Sequence, residues 1–145
     1  MRLPEQDARE RLASVPVMLL GTADAHGRPH VVPAVFAVDG DRIYTAVDQK
    51  PKSTANLKRL RNIMENPRVT VLADHYDDDW ERLWWVRADG RAAVVEDPQE
   101  MAGPVRLLTD RHWQYRQAPP QGPVIAIMVE RWSGWSYRSD RNRSD

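Results

Sequence analysis

Residues 16–47, PVMLLGTADAHGRPHVVPAVFAVDGDRIYTAV, hold three apolar runs separated by two turn signals. PVMLLGTADA (16–25) is apolar and then turns polar, which predicts a strand. His26-Gly27-Arg28-Pro29 supplies turn chemistry, HVVPAVFAV (30–38) resumes as a second strand, and the two predict a hairpin. Asp39-Gly40 begins another tight turn, and RIYTAV (42–47) reads as a third, β-rich strand. Pro33 cannot donate to a ladder, so it marks an edge or a bulge where a ligand can meet open backbone.

The next stretch, residues 48–68 (DQKPKSTANLKRLRNIMENPR), predicts a basic loop and one helix. Leu57, Leu60, Ile63 and Met64 fall on one helical face, with Lys58, Arg59, Arg61 and Glu65 on the other. Asn66-Pro67 stops the helix. Between Lys50 and Arg61 stand five basic residues (Lys50, Lys52, Lys58, Arg59, Arg61) and no acidic one. Ser53 or Thr54 can be the N-cap, and a helix start favours an anion. Lysines beside it add charge. This is the expected seat of a phosphate-bearing cofactor; the alternative is a solvated basic helix.

The remaining chain completes the pattern. Residues 4–14 predict a surface helix with Pro4 in its first turn. Residues 68–76 predict a fourth strand, and 77–82 a polar excursion carrying Trp80. Residues 83–96 predict a fifth strand with a bend at Asp89-Gly90. Its Leu83 to Val86 run is apolar on both faces, so one face must meet a partner chain or a flat ligand. Residues 98–117 predict a helix broken at Gly103-Pro104, and 124–137 a sixth strand with a bulge or bend near Gly134. One domain over 1–137 and a disordered tail over 138–145 are expected. The class is α+β, mainly β: a six-stranded antiparallel barrel with a few flanking helices.

Composition narrows the function. The 145 residues carry zero formal net charge, so nothing global points to nucleic acid or an anionic membrane. There are no cysteines, which removes disulfides, thiol catalysis and Cys-based metal sites. No apolar run suits a membrane span, and the start is too charged for a signal peptide; a cytoplasmic protein is expected. GxGxxG, Walker, HExxH and GxSxG motifs are missing. His26, His30, His75 and His112 are scattered, and no metal site is expected from them. No acid–base set stands out, and no catalytic residue can be named. Six Trp against one Phe is unusual. Trp80, Trp84, Trp85, Trp132 and Trp135 can shape a slot for a flat cofactor that carries its own chemistry.

The order of three pieces is similar to a known family: the G-R-P-H-x-x-P hairpin, the K-P-K loop ahead of R-N-I-M-E-N-P-R, and D-x-W-x-x-L-W-W-V-R-x-D-G-R-A. Together they resemble the pyridoxamine 5′-phosphate oxidase-like, flavin-reductase-like split barrels. Within these the match is closest to the actinobacterial group of coenzyme F420-dependent enzymes. The resemblance implies a six-stranded split β-barrel and a homodimer with two cofactor sites at the subunit interface. It implies a ring edged by Val32 and Pro33, with phosphate or the acidic glutamyl tail on Lys50, Lys52, Ser53 and Thr54. Lys58, Arg59 or Asn62 are alternatives for the phosphate. Trp80 or Trp85 would reach across from the second subunit. The implied activity is hydride transfer between a deazaflavin and a small unsaturated or planar substrate. The alternatives are an FMN enzyme of the same fold and a non-enzymatic binder of a flavin, deazaflavin or haem.

Overall fold

The architecture comes from a computed structural model that describes residues 1–47 and 54–137, with backbone alone for 54–57. In chain order it contains α1 (Glu5–Ser14), β1 (Val17–Ala23), β2 (Pro29–Val35), β3 (Ala37–Asp39), β4 (Arg42–Ala46), α2 (Thr54–Glu65) and β5 (Arg68–His75). A 3₁₀ turn (Trp80–Arg82), β6 (Trp84–Val95), α3 (Pro98–Arg111), α4 (Trp113–Gln117) and β7 (Val124–Ser136) follow. The strands form one antiparallel sheet in the order β2-β1-β5-β6-β7-β4-β3.

The sheet has seven strands rather than six, because the run expected over 30–38 divides at Phe36. Before Phe36 the chain pairs with β1, and after it with β4. β2 and β3 are therefore consecutive in the chain yet lie at opposite edges of the sheet, so the sheet curls until its edges meet at Phe36. The Phe36 carbonyl is taken up by Nε2 of buried His112 at 2.7 Å, which satisfies a polar group that the corner removes from the ladder.

Strand alternation builds the inside. Met18, Leu20, Ile43, Val71, Val86, Ala88, Ile125 and Ile127 are sealed from solvent and form one core. α1 is on the surface as expected, but it closes that core with fully buried Ala8 and Leu12. Leu3 adds to it, held by a bond from its N–H to the Gly134 carbonyl at 2.9 Å. α2 closes the opposite side, rolled away from the expected face. Ile63 and Leu60 do pack inward, but Met64 is 71% exposed, while Arg59 and Asn62 are buried. The cause is polar: Asn62 Nδ2 donates to buried Thr22 Oγ1 at 3.0 Å, and that pairing turns the helix.

Two other expectations shift. α3 runs unbroken through Gly103-Pro104, started by Pro98 and by Asp97, whose carboxylate accepts from the Gln99 N–H at 2.9 Å. The break falls at His112 instead. The bend at Asp89-Gly90 is present as a register shift against β7. A Cβ on Gly90 would stand 2.1 Å from the Met128 carbonyl oxygen, so only glycine lets the strands approach there. Gly134 keeps register. It is small because Leu3 Cδ1 and the Trp85 carbonyl each lie 3.0 Å from where a Cβ would be.

On the outer face, α3 and α4 cover only the β3-β4-β7 side, through Leu108 against Ala37, Tyr44, Ala46 and Val124. The rest is open. Among the described residues no helix is long and apolar enough to cross a membrane.

Candidate functional site

Two unlike sites lie at opposite ends of β5. At its start, the β1–β2 turn meets α2 around a cavity of about 590 Å³ lined by Asp24, His26, Arg28, Lys58, Arg61, Asn62 and Glu65. The acids here serve the backbone. Asp24 Oδ1 accepts from the N–H groups of Arg28 and His26, both at 2.9 Å, and the Arg28 bond is the main reason its carboxyl titrates below the ordinary 3.8. Glu65 Oε2 accepts from the Ala25 N–H at 3.1 Å, tying the turn to the helix. Arg28, Lys58 and Arg61 are exposed, and none of them closes an ion pair among the described residues. The result is a rim of exposed cations around a hydrogen-bonded turn, suited to an anion.

The sequence-derived basic residues separate in space. Lys58 lines this cavity. Arg59 points elsewhere; it is 7% exposed, and burial lowers its pKa, partly offset by the nearby Tyr115. Lys50, Lys52 and Ser53 lie outside the described residues, and α2 begins at Thr54. Val32 and Pro33 sit on edge strand β2, as Pro33 predicts, but on opposite faces. Val32 pairs with buried Leu20 and packs against the core, while Pro33 pairs with Leu19 and faces out. Val32 therefore turns its half-buried side chain to the core side of β2, away from Pro33.

At the far end of β5, the cross-strand row Asp74–Trp85–Trp135 faces outward. It borders a cavity of about 410 Å³ with His75, Tyr76, Leu83 and Trp84. Two ring faces already hold guanidiniums: Arg87 lies 5.7 Å from the Trp85 centroid and Arg11 5.6 Å from that of Trp84. His75 stacks on Trp84 with centroids 6.4 Å apart and rings 22° from parallel, and its Nε2 is 3.6 Å from Asp77. Trp80 stands next door on the 3₁₀ turn, 65% exposed. Trp132 takes no part in the slot: it points inward and its indole N–H donates to Asp41 at 2.9 Å. Asp74, His75 and Tyr76 were missed as slot residues, whereas Leu83 lies in the run expected to meet a partner chain or a flat ligand. The two-residue spacing of Asp74 and Tyr76 toward a strand end was the available signal. No cluster of three or more His, Asp or Glu among the described residues is placed to hold a metal.

Comparison with known proteins fixes the lineage. The sequence model of the family described as pyridoxamine 5′-phosphate oxidase matches residues 4–136. This chain belongs to the pyridoxamine 5′-phosphate oxidase family. A search of curated proteins found no match. Among solved structures, a conserved hypothetical protein from Mycobacterium tuberculosis superposes with a TM-score of 0.71 at 22% identity, over 94% of this chain and 86% of that one. The FAD binding protein from Mycobacterium smegmatis gives 0.70 at 19%, covering 95% and 100%. The haem storage protein HutZ from Vibrio cholerae gives 0.67 at 17%, covering 90% of each. At such identities these likenesses concern the fold, and they support the curled, mainly β sheet with flanking helices.

Proposed function

We propose that this member of the pyridoxamine 5′-phosphate oxidase family is a cytoplasmic, homodimeric, F420-dependent oxidoreductase that passes a hydride between the deazaflavin and a small unsaturated or planar substrate. The observation that carries it is the separation of the two sites. From the start of β5 at Arg68 to Asp74 the strand rises roughly 20 Å, at about 3.3 Å per residue. A compact ring-and-phosphate ligand reaches both a cationic rim and an indole wall only if a second copy brings its aromatic end over the first copy's α2. The exposed apolar row of Val17, Leu19, Val31 and Leu72 gives that second copy a surface to pack on.

The residues present suit such a cofactor. The aromatic cavity lies in the size range of small-molecule sites, about 300–1,000 Å³, and the cationic rim suits an anionic tail. Bound there, the deazaflavin would supply the hydride chemistry. The chain's own part is to neutralise the tail with Lys58 and Arg61, joined by Lys50 and Lys52 of the sequence ahead of α2, to edge the ring with Val32 and Pro33, and to exclude water with Trp85 and Trp80 of the second copy. A role for Arg59 in this reading is support of α2 from beneath.

Two alternatives have their own support. The FAD binding protein of the same fold favours FMN or another flavin. The haem storage protein of the same fold, with the lack of an acid–base set, favours a binder without turnover. Parallel fluorescence titrations with F420 and FMN separate them. Micromolar F420 binding with hydride transfer to an enone or quinone supports the proposal. Binding of FMN alone, or of neither, overturns it.

A further inference from the structure

We propose that the aromatic slot at the end of β5 and β6 is a binding site for a flat organic cation, such as an N-alkylated pyridinium or a similar heteroaromatic. The slot is the aromatic wall that the redox reading turns toward the cofactor, but its lining comes from one chain, so its ligand preference is tested without the cofactor.

The argument starts from the lining. Tyr76, Trp85 and Trp135 border a cavity of about 410 Å³, with Trp84 behind them packed against the core. Each indole face carries the negative end of a quadrupole, and cations gather over it. The molecule already shows this preference at the slot, where Arg87 lies over Trp85. No lysine or arginine lines the cavity itself. Its one carboxylate, Asp74, sits in the same outward row as Trp85 and Trp135. Among the described residues Asp74 makes no ion pair and no side-chain hydrogen bond, so its charge is available to a ligand. The one imidazole, His75, has Asp77 beside it at 3.6 Å.

A neutral flat ligand would gain only stacking in this slot. A cationic one of the same shape gains stacking, the ring quadrupoles and the Asp74 carboxylate together. Tyr76 is 73% exposed and stands at the mouth, so it can close on a ligand without disturbing the core.

The test uses the full-length protein without added cofactor and a matched pair of probes, the 1-methylnicotinamide cation and neutral nicotinamide, by isothermal titration calorimetry. The cation is expected to bind about tenfold tighter than the neutral probe, with the preference shrinking as salt rises. Asp74→Asn is expected to remove most of that preference. Tyr76→Ala is expected to weaken both probes, and its exposed position keeps the fold intact. Equal affinity for the two probes, undiminished preference in Asp74→Asn, or no binding of either at millimolar concentration overturns the proposal. None of these outcomes depends on whether F420 binds.

Discussion

Leu19 and Leu20 are neighbours in β1, yet Leu20 is fully buried and Leu19 is 43% exposed. The same contrast runs across the sheet. Val71 is sealed while Leu72 beside it is 37% exposed, and Val32 packs inward while Val31 is 61% exposed. A strand places successive side chains on opposite faces, so a sheet apolar on both faces has two surfaces to cover. Here the curl and the helices α1 and α2 cover the inner one. α3 and α4 cover the β3-β4-β7 side of the outer one, and the exposed apolar residues beyond it form the surface on which the proposed dimer packs.

The most damaging way to break this contrast is at the bulge that lets the sheet curl. Gly90→Ala would drive a methyl to within 2.1 Å of the Met128 carbonyl oxygen, a backbone atom that cannot rotate away. The expected outcome is loss of the folded state, a cost above about 4 kcal/mol, read as a missing cooperative transition on heating. A normal transition would show that β6 and β7 can separate there.

Next in size is the pair Leu20→Ala and Leu19→Ala, which sets one face against the other. Leu20→Ala empties space in a sealed core and should cost about 2–5 kcal/mol, seen as a lower urea midpoint. Leu19→Ala should cost under about 0.5 kcal/mol in a monomer. Together with Leu72→Arg it should convert a dimer to monomers in sedimentation and weaken cofactor binding. Monomeric wild-type protein, or a dimer indifferent to Leu72→Arg, would assign the outer face to something other than a second copy.

Much of the inner face was legible in advance. The alternation in 16–47 and 68–76 and the turns at Gly27 and Gly40 announce the meander, and Asp89-Gly90 announces its bend. What was hidden depends on contacts distant in sequence. Phe36 divides a strand because the barrel must turn a corner there and because His112, 76 residues away, takes up its carbonyl. The roll of α2 was hidden likewise, since Thr22, 40 residues away, draws Asn62 inward, where hydrophobic periodicity favoured Met64. Of the candidate site, Lys58, Pro33 and Trp85 fall where a ligand can meet them. Arg59 does not, because charge alone carries no information about which side of a helix a neighbouring element buries.

That polar pair gives a third, smaller test. Thr22→Val leaves Asn62 buried without its partner, at a cost of about 1–3 kcal/mol. Because Asn62 borders the cationic cavity while Thr22 lies inside, the variant should also lower affinity for an anionic ligand there. Unchanged stability in urea would mean that the helix rolls back without penalty.

The smallest effect concerns the seam where the inner face meets α1. Asp41 accepts from the indole N–H of Trp132 at 2.9 Å and from Arg9 at 2.6 Å, and these two bonds, the indole first, hold its carboxyl below the ordinary 3.8. A carboxyl whose folded pKa is depressed adds stability above its unfolded pKa and loses it as pH falls through the folded one. Acidification below about pH 4 should therefore loosen the Trp132–Asp41–Arg9 contact and shift the Trp132 emission. Asp24 titrates with the same sign through its backbone bonds, so wild-type acid sensitivity mixes two sources. Asp41→Asn separates them: the amide oxygen still accepts from the indole, but the charge that Arg9 and pH act on is gone. Less acid dependence in that variant, with the Asp24 share retained, places the sensitivity at the α1 seam. An unchanged acid profile places it at the β1–β2 turn, on the side of the sheet where α2 and the cationic cavity lie.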